Sequence, residues 1–252
     1  MNFIVRPRTV VRTLGYFSLG FLFSGILSHQ LKHSFGLLPG LAHWFNTDGE
    51  KNFPALFSCG LLLLSASLLL VITLAKRRER DRYTVAWSGL TVIFTGLAVD
   101  EWMSYHEQFT DIVKNAPVAL PSDGIFHFAW IVAGIAFIAV IGFAYRNFLA
   151  QLPRQYARWF LAAAALYILG AIGLEMVAGY YADNHQQWNR LIWLGLTTVE
   201  EGLEMFGIIT FIYALLHYIK NTIGDLNIHI EPAAGFPQAE DNTALLEPLV
   251  KK

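Results

Sequence analysis

The sequence has few charges and a single cysteine, and both shortages narrow the class of protein. Of its 252 residues 55% are hydrophobic and 15% are charged, too few charges for the surface of a soluble protein of this size. Cys59, the one cysteine, excludes an internal disulfide and any metal site built from several cysteines. A net charge of -1 gives no indication of nucleic-acid binding. The composition predicts a membrane protein with the lipid bilayer as its main surroundings.

Six apolar stretches predict an all-α fold, a polytopic transmembrane bundle of six helices. A helix needs roughly 20 residues to cross a bilayer core of about 30 Å, and these stretches leave room for little else. One transmembrane domain, residues 1–220, is expected, followed by a poorly ordered cytoplasmic tail, residues 221–252, with prolines and scattered acids. The predicted spans are 11–28, 53–75, 84–108, 124–146, 158–181 and 191–219.

Basic residues predict the orientation of the bundle. Three basic segments, at residues 6–12, 76–82 and 146–158, fall on one side when six spans are threaded alternately. The positive-inside rule then predicts that both termini of this multi-pass protein are cytoplasmic. Residues 30–52 are predicted to lie along the outer interface as an amphipathic segment, and residues 109–123, with two prolines, to form an irregular loop.

Ionisable residues inside the spans are the candidates for function. A charge near the bilayer centre costs at least about 2.5 kcal/mol, so such residues need partners or a role. The third span contains the sequence Asp-Glu-x-x-x-x-His-Glu, and the sixth contains Glu-Glu-x-x-Glu. The candidate metal ligands are Asp100, Glu101, His106, Glu107, His127, Glu175, Glu200, Glu201 and Glu204.

Helical spacing predicts which of these side chains share a face. At about 100° per residue, Glu204 lies about 40° from Glu200 and about 60° from Glu201, so the three acids point the same way. His106 points roughly 120° away from Asp100 and is not expected to face the same cavity. Most of the acids fall at similar depths in the outer half of the bilayer, where His127 is placed to cap a common site.

A carboxylate and histidine cluster of this kind has three candidate uses. In the first, acids from several helices and one or two histidines bind one or two divalent ions, with iron, manganese or zinc as the candidates. The Glu-x-x-His pattern of ferritin-like di-iron bundles is absent, since Glu101 and His106 have the wrong spacing. In the second, the acids couple a transporter to protons or cations. Haem ligation by His29 and His127 is the third and would not require so many acids.

A short internal similarity bears on the transporter alternative. Residues 96–101 in the third span resemble residues 195–201 in the sixth, with one residue inserted. Because the two spans run in opposite directions, a repeat of three plus three helices would be inverted, an arrangement that many transporters use.

The two intramembrane motifs also resemble those of a group of bacterial multi-span membrane proteins of unknown function. The matching residues are Asp100-Glu101 with His106-Glu107, and Glu200-Glu201 with Glu204. The resemblance implies a bacterial inner-membrane protein and implies no activity.

The leading prediction is an intramembrane metal site that acts on a hydrophobic small molecule or a lipid, as a metal-dependent oxidoreductase or hydrolase. The first alternative is a small proton-coupled or cation-coupled transporter. The second is an accessory subunit of a membrane complex, whose partners would be other membrane proteins.

Overall fold

The structure is a computed structural model that describes residues 6–36, 39–47, 49–114, 121, 123–185 and 189–223. Within these ranges the chain is helical and has no β-strand. The predicted tail lies outside the described residues from residue 224 onward. The helices are α1 Pro7–Phe35, α2 Pro39–Phe45, α3 Phe53–Arg78, α4 Thr84–Met103, α5 Tyr105–Lys114, α6 Trp130–Gln151, α7 Arg154–Ile168, α8 Glu175–Asn184 and α9 Arg190–Tyr218. A 3₁₀ turn, Gly124–Phe126, precedes α6, and π-helical segments, Leu169–Leu174 and Ile219–Ile223, follow α7 and α9.

Five of the described helical stretches are long and apolar enough to cross a membrane. Helix α4 has 20 residues but does not belong to this group, because Asp100 and Glu101 near its end lower its mean hydropathy. The chain thus has the helices of a membrane protein, and α4 is not among the five that meet this description. The five stretches are Pro7–His33, Phe53–Arg78, Trp130–Gln151, Arg154–Asn184 and Arg190–Ile223.

The predicted third span, 84–108, is divided into two helices. Ser104 adopts a left-handed backbone conformation with φ of 53°, and its N–H donates to the carbonyl of Asp100 at 2.7 Å. A left-handed residue ends a helix because the chain turns away from the helical path. Helix α5 therefore begins at Tyr105 in a new direction, and residues 109–114, which were predicted to be part of an irregular loop, are helical. That part of the loop prediction is wrong.

Helix α9 is the centre of the bundle. It packs against α1, α3, α7 and the π-helical segment after α7, and most of its membrane-length stretch is buried. At the end near its C-terminus, aromatic side chains from α4, α6, α7 and α9 form one core: Trp87, Phe148, Phe160, Phe211 and Tyr218. Nearer the acidic residues, aliphatic side chains of α3 and α9 form a second core: Leu61, Leu62, Met205, Ile208, Ile209 and Ile212.

Helix α6 is held against the bundle at its two ends. At its C-terminal end the Tyr145 hydroxyl donates to the carbonyl of Ala86 at 3.0 Å, and the rings of Trp87 and Phe148 are 4.9 Å apart. At its N-terminal end the indole N–H of Trp130 donates to Glu175 at 2.8 Å. Between these attachments α6 lies apart from α4 and α9, and a cavity fills the gap.

Two glycines let α7 and the π-helical segment after it approach α9 closely. A Cβ atom at Gly207 would lie 2.8 Å from the backbone nitrogen of Tyr167. A Cβ atom at Gly170, inside the π-helical segment, would lie 2.9 Å from the carbonyl oxygen of Glu200 and 2.8 Å from Cγ of Glu204. Separations under 3.0 Å leave no room for a side chain, so only glycine permits this packing. Short π-helical segments of this kind are frequent at functional sites.

Candidate functional site

The cavity has a volume of about 760 Å³ and is bounded by α4, α5, α6, α9 and the α7–α8 region. Its two ends differ in chemistry. Polar side chains line the end at α5 and the N-terminal part of α9, whereas apolar side chains from α4, α6, α7 and α9 line the other end. The carboxylates that line it are Glu50, Asp100, Glu101, Glu107, Asp111, Glu175, Glu200, Glu201 and Glu204, with His106 among them.

Asp100 and His106 form an ion pair, which helical spacing alone would not allow. The Nδ1 atom of His106 lies 2.9 Å from Oδ2 of Asp100, and the backbone N–H of His106 donates to Oδ1 at 3.1 Å. The turn at Ser104 places the first residues of α5 over the last carboxylates of α4. The expectation that His106 points away from Asp100 is wrong, because it assumed one continuous helix.

Glu50, His106 and Glu107 form a group that could hold a metal ion. Each offers one ligand atom, and the three atoms lie within 4.8 Å of one another. The Oε2 atom of Glu50 is buried and has no hydrogen-bond partner in the described part of the chain. A buried carboxylate oxygen without a donor is costly, and a cation is the partner that would satisfy it.

The loop before α3 holds Glu50 at the site. The side-chain amide of Asn52 donates to the carbonyls of Asn46 at 2.6 Å and Gly49 at 2.5 Å. Its oxygen accepts from the backbone N–H of Ala55 at 3.1 Å, which caps the N-terminus of α3. Asn52 thereby ties the loop to a transmembrane helix and fixes Glu50 in position.

Trp130 connects the carboxylate of Glu175 with the His106 group. Its indole N–H donates to Glu175 at 2.8 Å, and its ring centroid lies 5.2 Å from that of His106. Its backbone N–H donates to the hydroxyl of Thr110 at 3.3 Å. One side chain therefore contacts α5 and α8, so the two helices and their acidic side chains are positioned together.

The three acids of α9 line the same cavity, as their spacing predicts. Glu200, Glu201 and Glu204 all contribute to its wall, and Glu101 and Tyr167 lie within electrostatic reach of Glu204. Glu204 packs against Gly170, so its carboxylate stem is held between α9 and the π-helical segment. The fifth and sixth predicted spans thus contribute to one site with the third.

His127 stands outside this arrangement. Its Nδ1 atom lies 3.8 Å from Oδ1 of Asp183, whose other oxygen accepts from the backbone N–H of Gly124 at 2.9 Å. His127 does not line the cavity. Of the nine residues proposed as ligands from the sequence, the structure brings eight to the cavity wall and pairs the ninth with Asp183.

Glu50 and Trp130 are site residues that the sequence did not single out. Glu50 lies between predicted spans, where an acid is ordinary, and nothing in its spacing relates it to His106. The only local signal is Asn52 followed by Pro54, a combination typical of a helix start. It predicts where α3 begins but does not predict that the loop folds over the acids.

His106 carries a positive charge over a wide pH range. It lies in α5, beyond the end of α4. Burial lowers its pKa, but the hydrogen bond and charge of Asp100, with smaller contributions from Glu175 and Glu107, outweigh burial and raise the pKa from 6.5 to about 9. Without a metal ion, the imidazolium offsets part of the negative charge around it.

The structure is thus an α-helical protein with helices that can span a membrane and a cavity lined by carboxylates and one histidine. Residues 14–219 match the family described as Domain of unknown function DUF8692, and the chain belongs to that family. No curated protein and no solved structure is similar to the chain in the corresponding comparisons.

Proposed function

We propose that the protein is a metal-binding protein of a bacterial inner membrane that acts on a hydrophobic or lipid-like substrate. The supporting observation is the group formed by Glu50, His106 and Glu107, with a buried oxygen of Glu50 that has no hydrogen-bond partner in the described chain. Carboxylates and imidazole suit iron, manganese and zinc, and the further acids of the cavity offer ligands for a second ion. A bound ion would supply Lewis-acid chemistry for hydrolysis or, as iron or manganese, redox chemistry.

We propose six spans, with α4 as the third and both termini in the cytoplasm. Contacts between helix ends support this topology. The hydroxyl of Tyr83, just before α4, donates to the carbonyl of Asn147 at 3.5 Å, and the amide of Asn221, after α9, donates to the hydroxyl of Tyr156 at 3.2 Å. Those ends therefore gather on one side, which carries the basic segments 76–82 and 146–158.

Elemental analysis of the detergent-purified protein tests the metal site. We expect one or two equivalents of iron, manganese or zinc in the wild-type protein and at least a tenfold lower content in Glu50→Gln and His106→Ala. Asp123→Asn is the matched control, because Asp123 is an exposed acid that does not line the cavity. Metal at trace level in the wild-type protein, or an unchanged content in both site variants, would contradict the proposal.

The second candidate function is a proton-coupled or cation-coupled transporter. It is favoured by carboxylates at successive positions along the cavity wall, from Glu107 on α5 to Glu204 on α9. It predicts substrate flux in proteoliposomes that follows a pH gradient and is lost in Glu204→Gln while the protein stays folded. Flux that is independent of the pH gradient, or that persists in this variant, would contradict proton-coupled or cation-coupled transport.

A further inference from the structure

The end of the cavity away from the acids is an apolar groove along α6. The lining of the whole cavity extends along α6 from Trp130 to Leu149, which is roughly 28 Å at 1.5 Å per residue. Beyond the acids the wall is formed by side chains such as Ile138, Ile141 and Phe211. The whole cavity, about 760 Å³, falls within the range of sites that hold one small ligand.

The charges at the acidic end of the cavity determine which chemical group of a ligand can bind there. Nine carboxylates line the cavity, and among the described residues no lysine or arginine does, so His106 is the one lining side chain with a basic group. These carboxylates outnumber the positive charges that a protonated His106 and two divalent ions would supply. A positively charged head group complements this surplus, and an anionic or neutral one does not.

We propose that the cavity binds a single-chain amphiphile with an amine head group, whose head contacts the acids of α9 and whose alkyl tail lies in the groove along α6. This inference rests on the proposed function, since it names the substrate class for the same cavity. Burying an alkyl tail contributes about 0.8 kcal/mol per methylene, and the acids select the cationic head. The ammonium group would lie nearest Glu200 and Glu204, deeper than the group of Glu50, His106 and Glu107.

A larger side chain at a position with free space in the groove should prevent the alkyl tail from binding. Gly142 lines the cavity, and a Cβ atom built there meets no other atom within 4 Å. The Cβ atom of a phenylalanine at this position would meet no neighbour, and its ring would occupy space in the groove. Gly195 on α9 also has free space for a Cβ atom but does not line the cavity, which makes Gly195→Phe the matched control.

A second pair of variants tests the opposite wall. Ala164 and Ala165 on α7 are both exposed, but Ala164 lines the groove and Ala165 does not. Ala164→Phe and Ala165→Phe add the same side chain to neighbouring positions of one helix. If Gly142→Phe fails to fold, this pair still distinguishes a blocked groove from a general effect of adding a large side chain to the helix.

Native mass spectrometry from neutral maltoside micelles measures metal content and amphiphile binding on the same molecules. We expect one dodecylamine per chain, bound at least tenfold more tightly than dodecanol or dodecanoate. Gly142→Phe and Ala164→Phe should each weaken dodecylamine binding at least tenfold and leave metal content unchanged. The two control variants should bind dodecylamine as the wild-type protein does.

Three results would overturn the inference: dodecanol binding as tightly as dodecylamine, unchanged dodecylamine binding in both groove variants, or a two-chain phospholipid displacing the amine. The metal readout separates this inference from the proposed function. Absence of metal together with selective amine binding contradicts the metal site alone, and a full metal content without amine selectivity contradicts the inference alone.

Discussion

The Nδ1 atom of His106 lies 2.9 Å from Oδ2 of Asp100, although six residues of continuous helix would turn the two side chains about 120° apart. The left-handed conformation of Ser104 makes this pair possible by ending α4 and redirecting α5. The same turn brings His106 and Glu107 to Glu50, which comes from a separate loop. One backbone conformation therefore assembles the group to which we assign the metal.

The Asp100–His106 pair predicts a distinct pH dependence in the metal-free protein. We expect the imidazole of His106 to titrate near pH 9 by NMR, identified by the signal that His106→Gln removes. Asp100→Asn should lower this pKa by about 1 to 3 pH units, because it removes the negative charge and leaves burial to act. Titration of His106 near 6.5 in the wild-type protein would show that the pair does not form.

The same pair predicts how stability changes with pH. Because folding raises the pKa of His106, protonated His106 stabilises the folded protein fully below pH 6.5, and this contribution is lost as pH rises through about 9. In metal-free protein the Tm difference between wild type and Asp100→Asn should be largest near pH 6 and smaller above pH 9. A difference that stays constant across this range argues against the linkage.

The position of Ser104 is predicted to tolerate glycine but not β-branched residues. Its hydroxyl is buried without a hydrogen-bond partner among the described residues, so Ser104→Gly loses no hydrogen bond and should keep wild-type Tm and metal content. Ser104→Val places a branched side chain at positive φ, and we expect destabilisation of about 1 to 3 kcal/mol with loss of metal. Ser67→Val, on an exposed face of α3, is the control. Equal metal content in the two valine variants would contradict the role of the turn.

Gly170 is predicted to set the distance between the π-helical segment and the acids of α9. In Gly170→Ala the new Cβ atom would meet Cγ of Glu204 at 2.8 Å and the carbonyl of Glu200 at 2.9 Å, so one helix must move. Overpacking of this kind costs about 1 to 3 kcal/mol. Gly96→Ala, where a Cβ atom meets nothing within 4 Å, controls for helix propensity. Thermal unfolding should separate the two variants, and equal Tm values would disprove the close packing.

Gly89 and Tyr145 are predicted to be energetically coupled. A Cβ atom at Gly89 would collide with the hydroxyl of Tyr145, which donates to Ala86, so Gly89→Ala should break this hydrogen bond at a cost of about 1 kcal/mol. In Tyr145→Phe the hydroxyl is already absent and the alanine should be tolerated. A double-mutant cycle measures the coupling, with Gly96→Ala as the propensity reference. If the effects of the two substitutions on the free energy of unfolding are strictly additive, Gly89 and the Tyr145 hydroxyl are not in contact.

The sequence predicted the helices better than it predicted the site. Hydropathy found the apolar stretches because each span has to be apolar over its whole length, whatever its neighbours are. Helical spacing also predicted that Glu200, Glu201 and Glu204 share a face, because α9 is unbroken between them. The spacing argument failed at His106, where the helix breaks at a serine that carries no sequence signal for a left-handed turn.

The sequence by itself determined the helical membrane class and the presence of acids within the spans, because both depend on residue type and local periodicity. Only the tertiary structure decided which residues meet: Glu50 with His106 and Glu107, Trp130 with Glu175, and His127 with Asp183. These contacts join residues far apart in the chain. They depend on a loop fixed by Asn52, a turn at Ser104 and the close approach at Gly170, which local sequence patterns do not specify.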